Sequence, residues 1–185
     1  EYHDPAEKWY GKISSSAEAI GNLHQSISNW EKRTKGEIVI PTSGGYDSRL
    51  LNFFISDKSR IRSFSYGVST HQPESFEVVF AKRLAEKLRT KWEQVELGNY
   101  HKYFDEWDEL FGCSTHAHGM YQMEFYEKIL EKLGKDKHLL SGFFGDAWAG
   151  SIGKKEVNSP EDLFTLGYTH GLHADVHASV LKTDY

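Results

Sequence analysis

Glu37-Ile-Val-Ile-Pro-Thr-Ser-Gly-Gly-Tyr-Asp-Ser-Arg-Leu-Leu51 is the stretch that decides the fold. Ile38, Val39 and Ile40 are a short β-branched apolar run, which predicts a buried strand. Ser43, Gly44 and Gly45 make a loop of small residues. Beyond Tyr46 or Asp47, the residues Leu50, Leu51, Phe54 and Ile55 recur at helical spacing. A strand that feeds a glycine loop and then a helix N-terminus presents free backbone N–H groups at a positive dipole end, which suits an anion. Two glycines let a phosphate approach with no Cβ in the way. Ser43 and Ser48 add hydroxyl donors. Asp47 is out of place beside a phosphate unless a cation, such as magnesium, lies between them. The plain alternative is an ordinary strand–turn–helix joint with Asp47 as a helix cap.

Working outward, the pattern alternates. Ser14–Ser16 offer an N-cap, and Ile20, Leu23, Ile27 and Trp30 mark an amphipathic helix that ends in the polar run 31–36. Ile61, Ser63, Phe64 and Tyr66 predict a second strand ending at Gly67, and Pro73 closes the loop after it. Phe76, Phe80, Leu84 and Leu88 form a helix stripe. Residues 92–97 alternate like a third strand. A short aromatic helix is expected at 100–111, a loop at 112–119, and a helix through Phe125, Ile129, Leu130 and Leu133. Residues 138–142 read as a fourth strand, and Pro160-Glu-Asp opens a further helix. Strand and helix in this alternation predict an α/β fold: an open, doubly wound parallel sheet of four to five strands with helices on both faces. Ligands of such sheets bind beyond the carboxyl ends of strands, where the winding reverses. The segments Thr42–Ser48, Tyr66-Gly67 and Ser141-Gly142 stand at three such ends.

The chain has 185 residues, enough for one α/β domain with a real core. Three parts are expected: an N-terminal helical segment over 1–36, the main domain over 37–150, and a C-terminal helical extension over 151–185. The net charge of −5 argues against a nucleic-acid-binding surface. Cys113 is the single cysteine, which rules out an internal disulfide and fits a reducing, cytoplasmic setting. No apolar run approaches the ~18 residues of a membrane span. The first residue is Glu1 rather than Met, as in a fragment of a longer chain.

The loop lacks both the Walker lysine and the Gly-x-Gly-x-x-Gly spacing. Ser43-Gly-Gly-x-Asp-Ser48 instead resembles the pyrophosphate loop of ATP pyrophosphatases. Three further stretches are similar to the synthetase domain of the asparagine synthetase family: Phe64-Ser-Tyr-Gly67, Glu77-x-x-x-Ala81-x-x-x-Ala85, and Ser141-Gly142 with Asp146 and Gly150. The resemblance covers about residues 37–150 and implies an adenine nucleotide α-hydrolase-like fold. It implies an enzyme that cleaves ATP to AMP and pyrophosphate, adenylates a small-molecule carboxylate, and passes the acyl group to an amine or ammonia. It places adenine against the backbone at Thr42 and Tyr66. Phosphates fall to Ser43, Gly44, Gly45 and Ser48, and the nucleotide also meets Ser141 and Gly142. Asp47 and Asp146 would share Mg2+ and form the catalytic pair. A glutaminase domain, separate or missing, would supply ammonia; nothing before residue 37 matches one.

The chain also departs from that family. Phe143 stands where the asparagine enzymes carry Glu and lactam-forming relatives carry Tyr. Phe neither takes nor gives a proton. Phe144, Gly145 and Ala147 depart as well, and neither Lys154 nor Lys155 is placed like the family's late catalytic lysine. The competing reading is therefore a nucleotide-binding domain that has lost acyl transfer. A sulfur- or deazapurine-related pyrophosphatase acting on tRNA or bases is a third reading, disfavoured by the lone cysteine and acidic charge.

Other candidates weigh less. His170, His173 and His177 share a helix face if 163–180 is helical, a zinc-compatible spacing with no acidic or cysteine partner. His116 and His118 fall in the loop near the expected crevice, and Cys113 reads as a small buried hydrophobe. The aromatic excess over 100–126 fits a substrate pocket or core packing.

Overall fold

The computed structural model describes residues 15–142, apart from 112–117. Helix α1 (Ser16–Arg33) starts at Ser15, whose hydroxyl and the Glu18 carboxylate close a reciprocal capping box. Strand β1 (Ile38–Pro41) leads through the loop into α2 (Tyr46–Phe54). Strand β2 (Ile61–Ser65), helix α3 (Phe76–Leu88) and strand β3 (Lys91–Gln94) follow. Helices α4 (Phe104–Phe111) and α5 (His118–Leu133) then lead to strand β4 (His138–Leu139).

All strand pairs are parallel, in the order β3-β2-β1-β4. The expected α/β parallel sheet is therefore present. From β1 the chain steps outward to β2 and β3, then returns across the sheet to place β4 on the other side of β1. The winding reverses between β1 and β4.

Period-two alternation sorts β1 between two cores. Ile38 and Ile40 join Ile61 under α1 and α2, with Ile27, Leu51, Phe54 and Ile55. Val39 turns the other way and joins Phe64, Val95 and Leu97 under Phe125 and Ile129 of α5. The sheet is thus covered on both faces, which is why its central strand β1 reads as an unbroken apolar run.

Three expectations meet differences. The buried face of α3 is Val78, Ala81 and Ala85, not the Phe76–Phe80–Leu84–Leu88 stripe, and Phe76 is 59% exposed. Small residues let this helix approach the sheet closely. Helix α5 begins at His118, inside the expected loop. Within that helix position 119 is glycine, and the Trp107 indole occupies the place a Cβ would take. Strand β3 ends at Gln94 rather than residue 97, although the Val95 amide still donates to Ser65 O at 2.8 Å. The 160–166 helix, Cys113, His116, Asp146, Phe143, Ala147 and the His170–His177 set lie outside the described residues. No described helix is long and apolar enough to cross a membrane.

Candidate functional site

The loop after β1 is held from below by a buried polar network. Thr42 continues the ladder, its amide donating to Phe64 O at 2.8 Å. Its carbonyl accepts from Ser65 Oγ at 2.6 Å, and that hydroxyl in turn accepts from the Trp92 indole at 2.9 Å. Thr42 Oγ1 accepts from Asn52 Nδ2 at 2.9 Å. Asn52, 1% exposed, also donates to Ser48 O at 2.8 Å and accepts from Ser63 Oγ at 3.0 Å. A buried amide satisfied on both ends ties the strand end to the first turn of α2.

Within the loop the serines brace each other. The Ser43 amide donates to Ser48 Oγ at 3.1 Å, and the Gly45 amide donates to Ser43 Oγ at 3.1 Å. Ser48 is buried, so much of its hydroxyl serves the loop itself, while Ser43 faces outward. Gly45 is the N-cap of α2 and no side chain caps this end. The first amides of α2 therefore point out without a side-chain acceptor. Asp47 is half-buried in that first turn, and its carboxylate makes no hydrogen bond or ion pair among the described residues.

The segment after β4 reaches the same place. A Cβ on Gly142 would lie 3.0 Å from Ser48 N and 3.1 Å from Asp47 Cβ. A side chain there would be crowded against α2, so glycine suits the point where the two loops meet at the reversal of the winding. Ser141 bonds the hydroxyl of Tyr126. Burial pushes the Tyr126 phenol up, and Ser141 eases that shift.

Beside the loop, over the ends of β1 and β2, is a pocket of about 310 Å³. Thr42, Ser43, Tyr66, Glu77, Tyr121 and Phe125 are among its lining. The Tyr66 ring lies 4.8 Å from Phe125 and 5.6 Å from Tyr121, centroid to centroid. Burial is the main reason its phenol is pushed up to about 12; Tyr121 and the Glu77 charge add to this, and a Gln122 hydrogen bond opposes it. Tyr66 stays neutral at ordinary pH, as an aromatic wall with a hydroxyl donor.

Of the expected site residues, Asp47 and Ser48 meet Gly142, with Ser141 next to it in the chain; Gly44 and Gly45 lie on the same loop as Asp47, and Thr42, Ser43 and Tyr66 line the adjoining pocket. Asp146 lies outside the described residues. Sequence reasoning missed Asn52, Ser63 and Ser65, which signal nothing until the strands are side by side. It missed Arg49, whose four-residue step from Gly45 was the available signal. Tyr121 and Phe125 fell within the aromatic excess and both line the pocket.

No protein-family model matches the chain, and no curated protein matches it by sequence. Among solved structures it is similar to the NH3-dependent NAD synthetase from Campylobacter jejuni subsp. jejuni, in complex with nitrate ion. That match has 13% identity and a TM-score of 0.48, covering 92% of this chain and 80% of that one. It is also similar to the glutamine-dependent NAD+ synthetase from Acinetobacter baumannii in complex with ADP. There the identity is 14% and the TM-score 0.46, over 76% of this chain and 29% of that one. The chain thus spans under a third of the length of the second. At this distance neither likeness bears on what this chain binds.

Proposed function

We propose that this chain carries an ATP-dependent, AMP-forming ligase domain that joins a carboxylate to an amine, in the manner of asparagine synthetase. The observation that carries the reading is the meeting of Gly142 with Asp47 and Ser48 at the reversal of the sheet. It sets an uncapped helix end, a glycine loop and a carboxylate beside a pocket of about 310 Å³, at the low end of the range for small-molecule sites.

In this reading adenosine occupies the pocket between Thr42, Tyr66 and Tyr121, and the phosphates lie over Gly44–Ser48. The Thr42 amide and one carbonyl lone pair are already engaged. Base recognition there therefore falls to the second lone pair of Thr42 O and to the backbone near Tyr66.

The substrate carboxylate attacks the α-phosphorus, and the bond to the bridging oxygen breaks. Pyrophosphate leaves with the electron pair. The amine nitrogen then attacks the acyl carbon, AMP departs, and the nitrogen sheds a proton. The outward amides of the loop are dipoles aimed at charge that grows on the departing pyrophosphate.

The described residues fit a magnesium ion. Asp47 offers a carboxylate with no cation partner among the described residues, and magnesium binds through one or two carboxylates plus substrate phosphates without a protein cage. Among the described residues no three His, Cys, Asp or Glu side chains gather as a metal centre, so phosphate oxygens complete the set. When bound, the ion offsets phosphate charge. Asp146 is proposed as its second carboxylate. Asp47 and Asp146 are the proposed catalytic pair, and ammonia from a separate or missing glutaminase domain is the proposed nitrogen source.

Phe143 bears no proton, which favours a second reading: a nucleotide-binding domain without acyl transfer. Calorimetric titration with ATP and Mg2+, followed by a pyrophosphate-release assay over a panel of carboxylates, separates them. Release with one acid supports the ligase. Binding with no release from any acid supports the second reading, and no ATP binding sinks both.

A further inference from the structure

We infer that Arg49 is a positioning residue that sets the direction of the loop's peptide groups and thereby the strength of its hold on a pyrophosphate. This rests on the nucleotide reading above. The Arg49 guanidinium reaches back over the first turn of α2. Nε donates to Gly45 O at 3.1 Å and a terminal nitrogen donates to Gly44 O at 3.0 Å. Its carbon lies 4.3 Å from the centroid of the Tyr46 ring. One planar fork thus holds two successive carbonyls, with an aromatic face against it.

The consequence follows from peptide geometry. In a planar trans peptide, C=O and N–H point to opposite sides. Holding Gly44 O turns the Gly45 amide away from Arg49, where Ser43 Oγ accepts it. Holding Gly45 O turns the Tyr46 amide outward, beside the open amides of Asp47 and Ser48. Consecutive glycines are free to rotate these planes. Gly45 O, the N-cap carbonyl, also takes the first backbone bond of α2, whereas among the described residues no other side chain holds Gly44 O, so the fork removes a freedom of that peptide that an arriving phosphate would otherwise have to remove.

The placement of the charge points the same way. A cation in the first turn of a helix opposes the macrodipole. At α2 that turn holds Arg49 together with the Asp47 carboxylate, which caps none of its amides. Two of the five guanidinium N–H donors are committed to carbonyls, and it is this pair that orients the amides.

The test compares the full chain with Arg49→Met and Arg49→Lys. Affinities for inorganic pyrophosphate with Mg2+, ATP with Mg2+, and AMP are measured by calorimetry, alongside thermal unfolding. Arg49→Met is expected to weaken pyrophosphate and ATP roughly ten- to a hundredfold. AMP affinity and the unfolding midpoint stay nearly unchanged. Lysine keeps the charge but lacks the fork, so Arg49→Lys is expected to recover little of the loss. Full recovery by lysine would overturn the inference in favour of charge alone. An equal loss for AMP, or a fall in the midpoint that tracks the loss, would overturn it in favour of a structural role. Wild-type chain that binds ATP while Arg49→Met binds it equally well overturns this inference alone. Wild-type chain that binds neither ATP nor pyrophosphate overturns the nucleotide reading and this one with it.

Discussion

Two kinds of backbone turn in this molecule expose neighbouring amides, and the chain treats them differently. At Gly98-Asn99 the amides donate to the Glu124 carboxylate at 3.0–3.2 Å. Glu124 is 1% exposed and also accepts from Lys128 at 2.7 Å. At Ser56-Asp57 the amides donate to the buried Glu31 carboxylate at 2.8 and 2.9 Å. In both places an internal acid supplies the anion. At Gly44–Ser48 no described carboxylate does so, although Asp47 is in the same turn. A turn that serves architecture is closed by its own anion, because open amides away from water are costly. A turn left open at the carboxyl edge of the sheet is suited to an anion from outside.

The sharpest break of this comparison is Glu124→Ala. It leaves the Gly98 and Asn99 amides without their acceptor, while Lys128 keeps its bond to Glu96 O, and should lower unfolding free energy by about 3 kcal/mol in a urea titration. Nucleotide affinity should stay as it was; a fall in affinity would mean the two turns are not separable. The same carboxyl gives a pH signature. Burial pushes Glu124 up, but the hydrogen bonds from Lys128, Gly98 and Asn99 outweigh it and hold the group below the ordinary value of 4.5. Its contribution is therefore complete above that ordinary value and is lost as pH falls through the lower folded value. Wild type should show this acid loss and Glu124→Ala should not.

Next in size is Gly142→Val. Its branched side chain would meet Ser48 N and Asp47, pushing the two loops apart. ATP affinity should fall about a hundredfold, or about 2.7 kcal/mol, with little change in urea midpoint. Unchanged affinity would separate the loop after β4 from the site. Asp47→Asn comes third. It should weaken ATP binding about tenfold in Mg2+ and much less in EDTA. An equal loss in both buffers would make Asp47 a structural residue. The smallest effect is expected from Ser63→Ala, which leaves Asn52 Oδ1 buried without a donor. A cost of about 1 kcal/mol in stability is expected. No measurable cost would show that the network under the loop is slack.

Much of the architecture was legible because it follows from local pattern. The apolar run 38–40, the glycines behind it and the helical spacing beyond predict a strand, a bend and a helix, and all three are present. Face selection on α3 was not legible. A four-residue repeat of Phe76, Phe80, Leu84 and Leu88 looks like a core stripe, yet Val78, Ala81 and Ala85 are buried. A repeat of four states that residues share a face, not which face meets the sheet. The aromatic pair instead stacks at 4.3 Å, and Phe76 covers Gly44 at the edge of the site. Asn52 was equally silent. A lone amide in a helix reads as a solvent-facing residue until Thr42 and Ser63 come within reach.

By itself the sequence determined the alternation of strands and helices, the glycine loop, and the residue types at each strand end. Hydrophobic period and backbone freedom are properties of neighbours in the chain. The tertiary structure alone decided that Asp47 and Ser48 meet Gly142, nearly a hundred positions away, and that Glu31 and Glu124 close two turns while no described carboxylate closes the loop after β1. Those outcomes depend on the order of strands in the sheet and on which helix crosses back beneath it, and both are settled by long-range packing rather than by any local pattern.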